Sequence, residues 1–401
     1  MKIKILYIFI LSSCLFTKTF TLNDENLNKS IVQHDSDIVE RILSADLNNI
    51  DSFDVFSNSM FYQIKNGYDI TVGFDYESSS LHRNIDISLD FNTSESQFNI
   101  SENGIFPENN IIVSEIMIFR GIEVRQISII PFQYNLNSGE LTAFNNVHLE
   151  IEEVESELER EYTNTKLSKS FEPLYEDLII NYESSSREED YQKPSILYIC
   201  GGSSISHPYV EELLDWRHKT GYIVNAVSTS QIGGSGTASV KSYIEDAYNT
   251  WENPPEIVGL IGDTGGSYQI GYYTEGWSGY NGAGDFPYCQ LDGSDLLPEV
   301  FIGRISVNSS SDLSNVLNKT LAYEKATYIN QTGTDWYEKA ALCGDPSSSG
   351  NSTIITNEYV ENILNAYGFE DISTNYGSGN YDSWMESELE DGTLYMNYRG
   401  Y

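Results

Sequence analysis

Cysteine and histidine are scarce in this 401-residue chain, at four and five residues, and each scarcity excludes something. Cys14 lies in an apolar N-terminal run, leaving Cys200, Cys289 and Cys343, an odd and widely spaced set. Such a set builds neither a disulfide framework nor a Cys-x-x-Cys metal site. Basic residues are also few, 22 Lys and Arg against 60 Asp and Glu, for a net charge of -38. Nucleic-acid binding needs a basic stripe to displace counterions, so that class is excluded. After residue 20 no apolar run approaches the ~20 residues of a spanning helix, and no transmembrane segment is expected. The acidity does not signal disorder, because hydrophobics make up 40% and aromatics 13%, with 29 Tyr and 17 Phe to fill cores. At ~100–200 residues per domain, the length predicts two or three domains.

The N-terminus has the pattern of a signal peptide over residues 1–21: Lys2 and Lys4, an apolar run Ile5–Ile10 continuing through Leu15–Phe16, then polar residues. The chain is therefore expected to be secreted or at the cell surface. Leu11-Ser12-Ser13-Cys14 resembles a lipobox, which offers surface attachment through a lipid on Cys14 as the alternative to simple removal of the segment.

Residues 22–153 carry short apolar or alternating stretches separated by polar turns: Phe61–Ile64, Tyr68–Phe74, Ile85–Phe91, Ile111–Phe119, Val124–Ile130 and Val147–Ile151. Alternation such as Ile85-Asp86-Ile87-Ser88-Leu89 marks strands with one buried face, and Asn137-Ser138-Gly139 is a turn signal. This half reads as an all-β sandwich. It offers no catalytic group, and His34, His82 and His148 read as surface residues. Glu150–Glu161 holds seven Glu in twelve residues and opens an expected acidic linker over 154–193. An exposed linker is where a pro-segment would be cut, with Arg160 and Arg187 in suitable surroundings.

From residue 194 the pattern becomes alternating strands and helices. Strands are expected at Ile196–Cys200, Tyr222–Val227, Ile257–Ile261, Val300–Ile302, Ala340–Cys343 and Leu394–Asn397. Helices are expected at Val210–Lys219, Ala238–Trp251, Asp312–Tyr328 and Ile354–Tyr367. Repeated βα units imply a mainly parallel sheet covered by helices, so the whole is an α+β multidomain chain. Chemistry in such sheets gathers at the strands' carboxyl ends, which directs attention to Gly201, Asp263, Asp345 and the chain after Asn397.

Several motifs there fall short. Asp263-Thr264-Gly265 has no second Asp-Thr-Gly or Asp-Ser-Gly to share a proton with, as an aspartic protease requires. Gly233-Gly234-Ser235-Gly236-Thr237 lacks the last glycine of a nucleophile elbow. Gly201-Gly202-Ser203-Ser204 lacks the P-loop lysine. His207 and His218 are the only histidines in this half, and both read as structural, His218 suiting a helix C-terminus. The acidic stretch from Asp292 through Asp295 to Glu299, with Asp263, could hold a calcium ion, which takes six to eight oxygens; the alternative is a solvated acidic loop.

Three strings, Ile257-Val258-Gly259-Leu260-Ile261-Gly262-Asp263, Tyr288-Cys289-Gln290-Leu291-Asp292-Gly293-Ser294-Asp295 and Pro298-Glu299-Val300-Phe301-Ile302-Gly303-Arg304-Ile305-Ser306, occur in this order. Ala340-Ala341-Leu342-Cys343-Gly344, Ala366-Tyr367-Gly368-Phe369 and Asn397-Tyr398-Arg399-Gly400 follow. Together they resemble the gingipain family of secreted cysteine peptidases over residues 195–401. Ile130-Pro131-Phe132-Gln133-Tyr134-Asn135 and Ser138-Gly139-Glu140-Leu141 resemble the family's propeptide, which in relatives keeps the protease latent until cut.

The resemblance implies a caspase-like α/β domain in two subdomains, the second beginning near residue 336, and a Cys–His dyad acting on protein or peptide substrates. The histidine is expected after Asn-Tyr-x-Gly, where this chain has Tyr401, and the cysteine beyond it. Tyrosine, with a pKa of about 10, is a poor base at neutral pH, so no catalytic residue is assigned within the chain. The expectation is a peptidase precursor fragment that ends before its nucleophile. The alternatives are a non-catalytic, calcium-binding relative and an unrelated acidic adhesin. The family's calcium ligands correspond to the carboxylates of Asp263, Asp295 and Glu299 and the main-chain oxygens of Asp292 and Leu297. Arginine-cleaving relatives place an acid in the loop matching Pro346–Thr353, which here has none, so cleavage after Arg or Lys is not expected.

Overall fold

The computed structural model describes residues 29–33, 58–84, 99–156, 166–277, 280–327 and 335–400. The N-terminal run with Cys14, His34, the whole of the expected strand Ile85–Phe91, Arg160 and Tyr401 lie outside these. Two compact units divide the chain, residues 1–315 and 316–401.

The first unit begins with two antiparallel sheets. The strands are β1 (Lys29–Gln33), β2 (Asn58–Gln63), β3 (Tyr68–His82), β4 (Ile105–Phe106), β5 (Ile111–Val113), β6 (Met117–Phe119), β7 (Ile122–Ile129), β8 (Phe132–Asn135) and β9 (Glu140–Glu155). One sheet runs β1-β9-β8-β4 with β3 also on β9; the other runs β2-β7-β5 with β6 also on β7. Met60, Tyr62, Ile127 and Ile129 of the second sheet and Ile70, Val147, Leu149 and Ile151 of the first form the core, as facing inner surfaces of a sandwich do. The turn read from Asn137-Ser138-Gly139 is present: Asn135 Oδ1 accepts from the N–H groups of Asn137 and Ser138 at 2.9 and 3.2 Å. The expected single strand Ile111–Phe119 is two, β5 and β6, parted where Ser114 turns its hydroxyl to accept the Gln126 N–H.

The stretch expected as a linker differs from that expectation. β9 runs to Glu155, and residues 166–192 carry helix α1 (Glu172–Leu178), with Phe171, Tyr175 and Ile179 buried. Their apolar spacing covers barely two turns inside a charged stretch, too short for periodicity to reveal.

The α/β part follows as β10 (Ser195–Cys200), α2 (Pro208–Lys219), β11 (Ile223–Ser228), α3 (Thr237–Thr250), β12 (Ile257–Ile261), a hairpin of β13 (Tyr273–Trp277) and β14 (Tyr280–Gly284), and β15 (Phe301–Ile305). The sheet order is β11-β10-β12-β15, all parallel. Every residue of β10 is buried, as a central strand covered on both faces must be. Val240, Ile244 and Ala247 of α3 pack onto Leu197, Ile199, Val258 and Leu260. The division between units falls within α4 (Ser310–Glu324).

The second unit has β16 (Lys339–Gly344), a one-turn helix Pro346–Ser349, α5 (Ser352–Tyr367), β17 (Asp371–Tyr376), α6 (Tyr381–Asp391) and β18 (Tyr395–Arg399). Its sheet is β17-β16-β18, again parallel, and Leu364 of α5 packs onto Ala340 and Leu342. Among the described residues no helix is long and apolar enough to cross a membrane.

Candidate functional site

At the carboxyl ends of β10 and β12 the glycines have a structural use. A Cβ on Gly201 or Gly262 would strike the carbonyl oxygen of Tyr268, and one on Gly202 that of Ser267. These glycines let the segment after Asp263 cross close over the strand ends. Asp263 Oδ1 accepts from Thr264 N–H at 2.7 Å and Ser306 Oγ at 2.9 Å, and Oδ2 accepts from Asn308 Nδ2 at 3.1 Å. Those donors, the Thr264 N–H foremost, hold its pKa below the ordinary carboxylate value. His207 caps α2: Nδ1 accepts the Tyr209 N–H at 3.3 Å, and Nε2 meets Ser310 Oγ at 3.0 Å. With Nδ1 accepting, the ring proton is assigned to Nε2, so the imidazole is a donor to Ser310 and not its base. Cys200, Cys289 and Cys343 are buried thiols. Burial pushes the Cys200 thiol up to about 12 and raises that of Cys343, the opposite of an activated nucleophile.

In the second unit two of the expected strand ends meet. The Asp345 N–H, just after β16, donates to the Arg399 carbonyl of β18 at 2.9 Å. A Cβ on Gly400 would strike the Tyr398 hydroxyl and sit 2.8 Å from the Asp345 Cβ, so glycine is what lets the end of β18 lie close against both side chains. Asp345 Oδ1 accepts from the Ser347 N–H at 2.9 Å, and the hydroxyls of Ser347 and Tyr381 also bond to the side chain. The Ser347 contacts hold its pKa low, keeping it an anion. Asn397 donates to Asn357 Oδ1 at 2.8 Å, and the buried Asn357 donates to the carbonyls of Cys343 and Thr353, both at 2.9 Å. That chain of amides locks β18 to β16 and α5. Asp345 drew notice in the sequence only as a loop position; its pairing with the end of β18 depends on strand order, which no local pattern encodes.

The proposed calcium ligands divide. β12 and β15 are parallel with Ile257 opposite Phe301 and Ile261 opposite Ile305. Glu299 therefore lies at the amino end of this pair and Asp263 at the carboxyl end, about eight residues apart along the strand direction, or roughly 25 Å at ~3.3 Å per residue. The five residues Asp263, Asp292, Asp295, Leu297 and Glu299 do not form one site, and among the described residues no three His, Cys, Asp or Glu side chains are grouped to hold a metal. What remains is a loop centred on the fully buried Glu299. Its Oε2 accepts from the N–H groups of Leu291 and Asp292 at 2.6 and 3.2 Å, while Oε1 has no hydrogen-bond partner. Burial, reinforced by the charges of Asp295 and Asp292 and opposed by those two N–H donors, moves the Glu299 carboxyl up to about 8. Asp295 Oδ1 accepts from the Leu297 N–H at 2.8 Å and Oδ2 from the Ile118 N–H of β6 at 2.9 Å. Lys241 donates to the Pro287 carbonyl at 2.7 Å and to that of Gln290, where the loop begins. An orphaned, buried carboxylate oxygen is what this loop offers a hard cation; the side chains of Asp292, Asp295 and Glu299 are not grouped as a ligand set.

Known proteins match the chain in two segments. The profile of the C25 propeptide matches residues 90–189, and that of peptidase family C25 matches residues 189–401. Gingipain R2 of Porphyromonas gingivalis is 25% identical over 310 residues, covering 75% of this chain and 41% of the relative. Lys-gingipain of the same organism is 26% identical over 242 residues, 59% of this chain and 13% of the relative. The chain thus spans less than half the length of these relatives. A solved structure of the Arg-specific cysteine proteinase gingipain R is 23% identical, with a TM-score of 0.42, covering 55% of this chain and 49% of that one. Because the peptidase profile covers more than half of the residues and the propeptide profile precedes it directly, the chain belongs to peptidase family C25.

Proposed function

We propose that this chain is the propeptide and the first part of the catalytic domain of an exported cysteine endopeptidase precursor that hydrolyses peptide bonds in proteins. The observation that carries the reading is the convergence of Asp345 with the end of β18 at Gly400. An ionised carboxylate fixed by Ser347 and Tyr381 stands beside the end of β18, and family membership supplies the expectation of a base in the next position of the sequence. The nucleophile is none of Cys200, Cys289 or Cys343, all buried. In the full gene product, a thiol-reactive peptidyl probe should label a single further cysteine, and casein should be cleaved. A purified, processed product that neither labels nor cleaves removes the enzyme reading.

The second reading is a non-catalytic relative, and it rests on Tyr401 at the position expected for the histidine. Tyr401→His separates the two: a gain in hydrolysis of tenfold or more places position 401 in the catalytic machinery, and no change favours a binding role. Export by the leader of residues 1–21, with or without a lipid on Cys14, belongs to the same proposal and is tested by fractionation and metabolic lipid labelling. The proposal also includes a calcium ion held by the loop, with the carboxylates of Asp295 and Glu299 and the main-chain oxygens of Asp292 and Leu297 as ligands and without Asp263. Its contribution there would be to neutralise the buried carboxylate of Glu299.

A further inference from the structure

The tip of the β6–β7 hairpin is Arg120-Gly121, with φ of +43° and +79°. Two left-handed residues suit a tight hairpin, but glycine or asparagine is the usual first residue, and an arginine there is held against its own preference. Its side chain is almost wholly buried, 6% exposed, and lies at the amino ends of the parallel strands in the family's peptidase segment. The guanidinium donates to the Pro255 carbonyl at 3.1 Å, to the Glu299 carbonyl, and to Gln192 Oε1 at 3.3 Å. It lies over the rings of Phe171 and Tyr248, 4.9 and 5.7 Å from their centroids. Pro255 precedes β12 and Glu299 precedes β15, so this pocket is at the opposite end of the sheet from Gly201 and Asp263.

The surroundings make one continuous seam. Phe119, next to Arg120, packs edge-on against Tyr175 at 5.2 Å, and Phe171 lies 4.3 Å from Phe301 of β15. The buried Glu256 receives the hydroxyls of Ser168 and Ser170 on its two oxygens, at 2.5 and 3.0 Å. Arg120, Phe119, Ser168, Ser170 and Phe171 belong to the segment matched by the propeptide profile; Tyr248, Pro255, Glu256, Glu299 and Phe301 belong to that matched by the peptidase profile.

We propose that this pocket is a retention site: it recognises an arginine presented at a hairpin tip, here Arg120 of the same chain, and keeps the β-rich segment bound after the backbone between the two segments is cut. Planar donors facing two fixed carbonyls and an amide, between aromatic faces, use the fork geometry that lysine lacks. An unpaired carbonyl pair and a bare Glu256 would be left on the peptidase segment if the hairpin withdrew, which opposes dissociation. Retention at this end needs nothing from the strands' carboxyl ends.

The inference rests on the precursor reading, and the test is independent of natural processing. A recognition site for a sequence-specific protease is inserted between Glu183 and Ser184, in an exposed irregular stretch, and the folded full chain is cut there. The two pieces should co-migrate on size exclusion at micromolar concentration. Arg120→Met should raise their dissociation constant at least 100-fold and Arg120→Lys at least tenfold, at unchanged far-ultraviolet circular dichroism of the uncut chain. Wild-type pieces that separate on cutting, or R120M pieces that bind within threefold of wild type, overturn the proposal. Should R120M not fold, R120K decides: pieces as tight as wild type also overturn it. Absence of natural cleavage between the segments would count against the precursor reading alone.

Discussion

Glu299 is the residue whose environment departs furthest from water. Its carboxyl has an ordinary value of 4.5 in the unfolded chain and about 8 in the fold. Between these limits the native state binds the extra proton, so stability falls as pH rises from about 4.5 to about 8 and levels off above. At about 1.4 kcal/mol per unit, the loss is of the order of a few kcal/mol. The groups around it work in both directions: Asp292 and Asp295 oppose ionisation, while Arg120 and Lys241 favour it. Glu299→Gln should flatten the dependence of the urea midpoint on pH over this window, without changing it near pH 4.5. An equally steep slope in E299Q would assign the dependence to other groups. The cysteines give a second residue-scale expectation. Buried thiols with raised pKa values react slowly, so iodoacetamide at pH 8 should leave Cys200, Cys289 and Cys343 unmodified in the native protein and modify all three in urea. Fast native labelling of any of them would contradict its burial.

Elements differ in how openly the sequence announces them. β10, β12 and β16 are apolar runs with most or all residues buried, and α3, α4 and α5 carry apolar residues at helical spacing; both patterns are local, and they were legible, whereas β17 (Asp-Ile-Ser-Thr-Asn-Tyr) and α6, polar and little buried, gave no such signal. α1 is too short to show a period, and the β13–β14 hairpin, Tyr-Thr-Glu-Gly-Trp and Tyr-Asn-Gly-Ala-Gly, has no apolar alternation. The calcium ligand set failed for a different reason. Asp263 and Asp292 are close in sequence, but a parallel crossover returns the chain to the opposite end of the sheet, so nearness along the chain says nothing about which end a residue occupies. The glycine pair after β10 invited a phosphate-cradle reading; its cause is the carbonyls of Ser267 and Tyr268 crossing overhead. Gly201→Ala must push that crossing away, and a loss of about 2–3 kcal/mol is expected from backbone displacement in a packed site. The thermal midpoint measures it, and an unchanged midpoint would show that the crossing segment yields freely.

On the scale of the molecule, a net charge of -38 acts on stability in two separable ways. Most of the carboxylates face solvent, where mutual repulsion is screened with a Debye length of about 10 Å at 0.1 M salt. Raising sodium chloride from low to moderate concentration should therefore raise the melting temperature, whichever residues carry the charge. A bound ion acts otherwise: it stabilises by mass action, about 2.7 kcal/mol at 100 times its dissociation constant, and only where ligands converge. Calcium, magnesium and sodium chloride compared at matched ionic strength distinguish the two. Calcium should raise the melting temperature beyond the other salts, because the oxygen-rich loop from Asp292 to Glu299, with no octahedral arrangement of ligands, suits a larger ion better than the strict octahedron of magnesium. Asp295→Asn and Glu299→Gln should each remove the additional rise and keep the common response to ionic strength, whereas Asp263→Asn, at the far end of the sheet, should keep both. Identical responses to the three salts in the wild-type protein would make the loop ordinary acidic surface and leave Glu299 as a carboxyl that folds protonated.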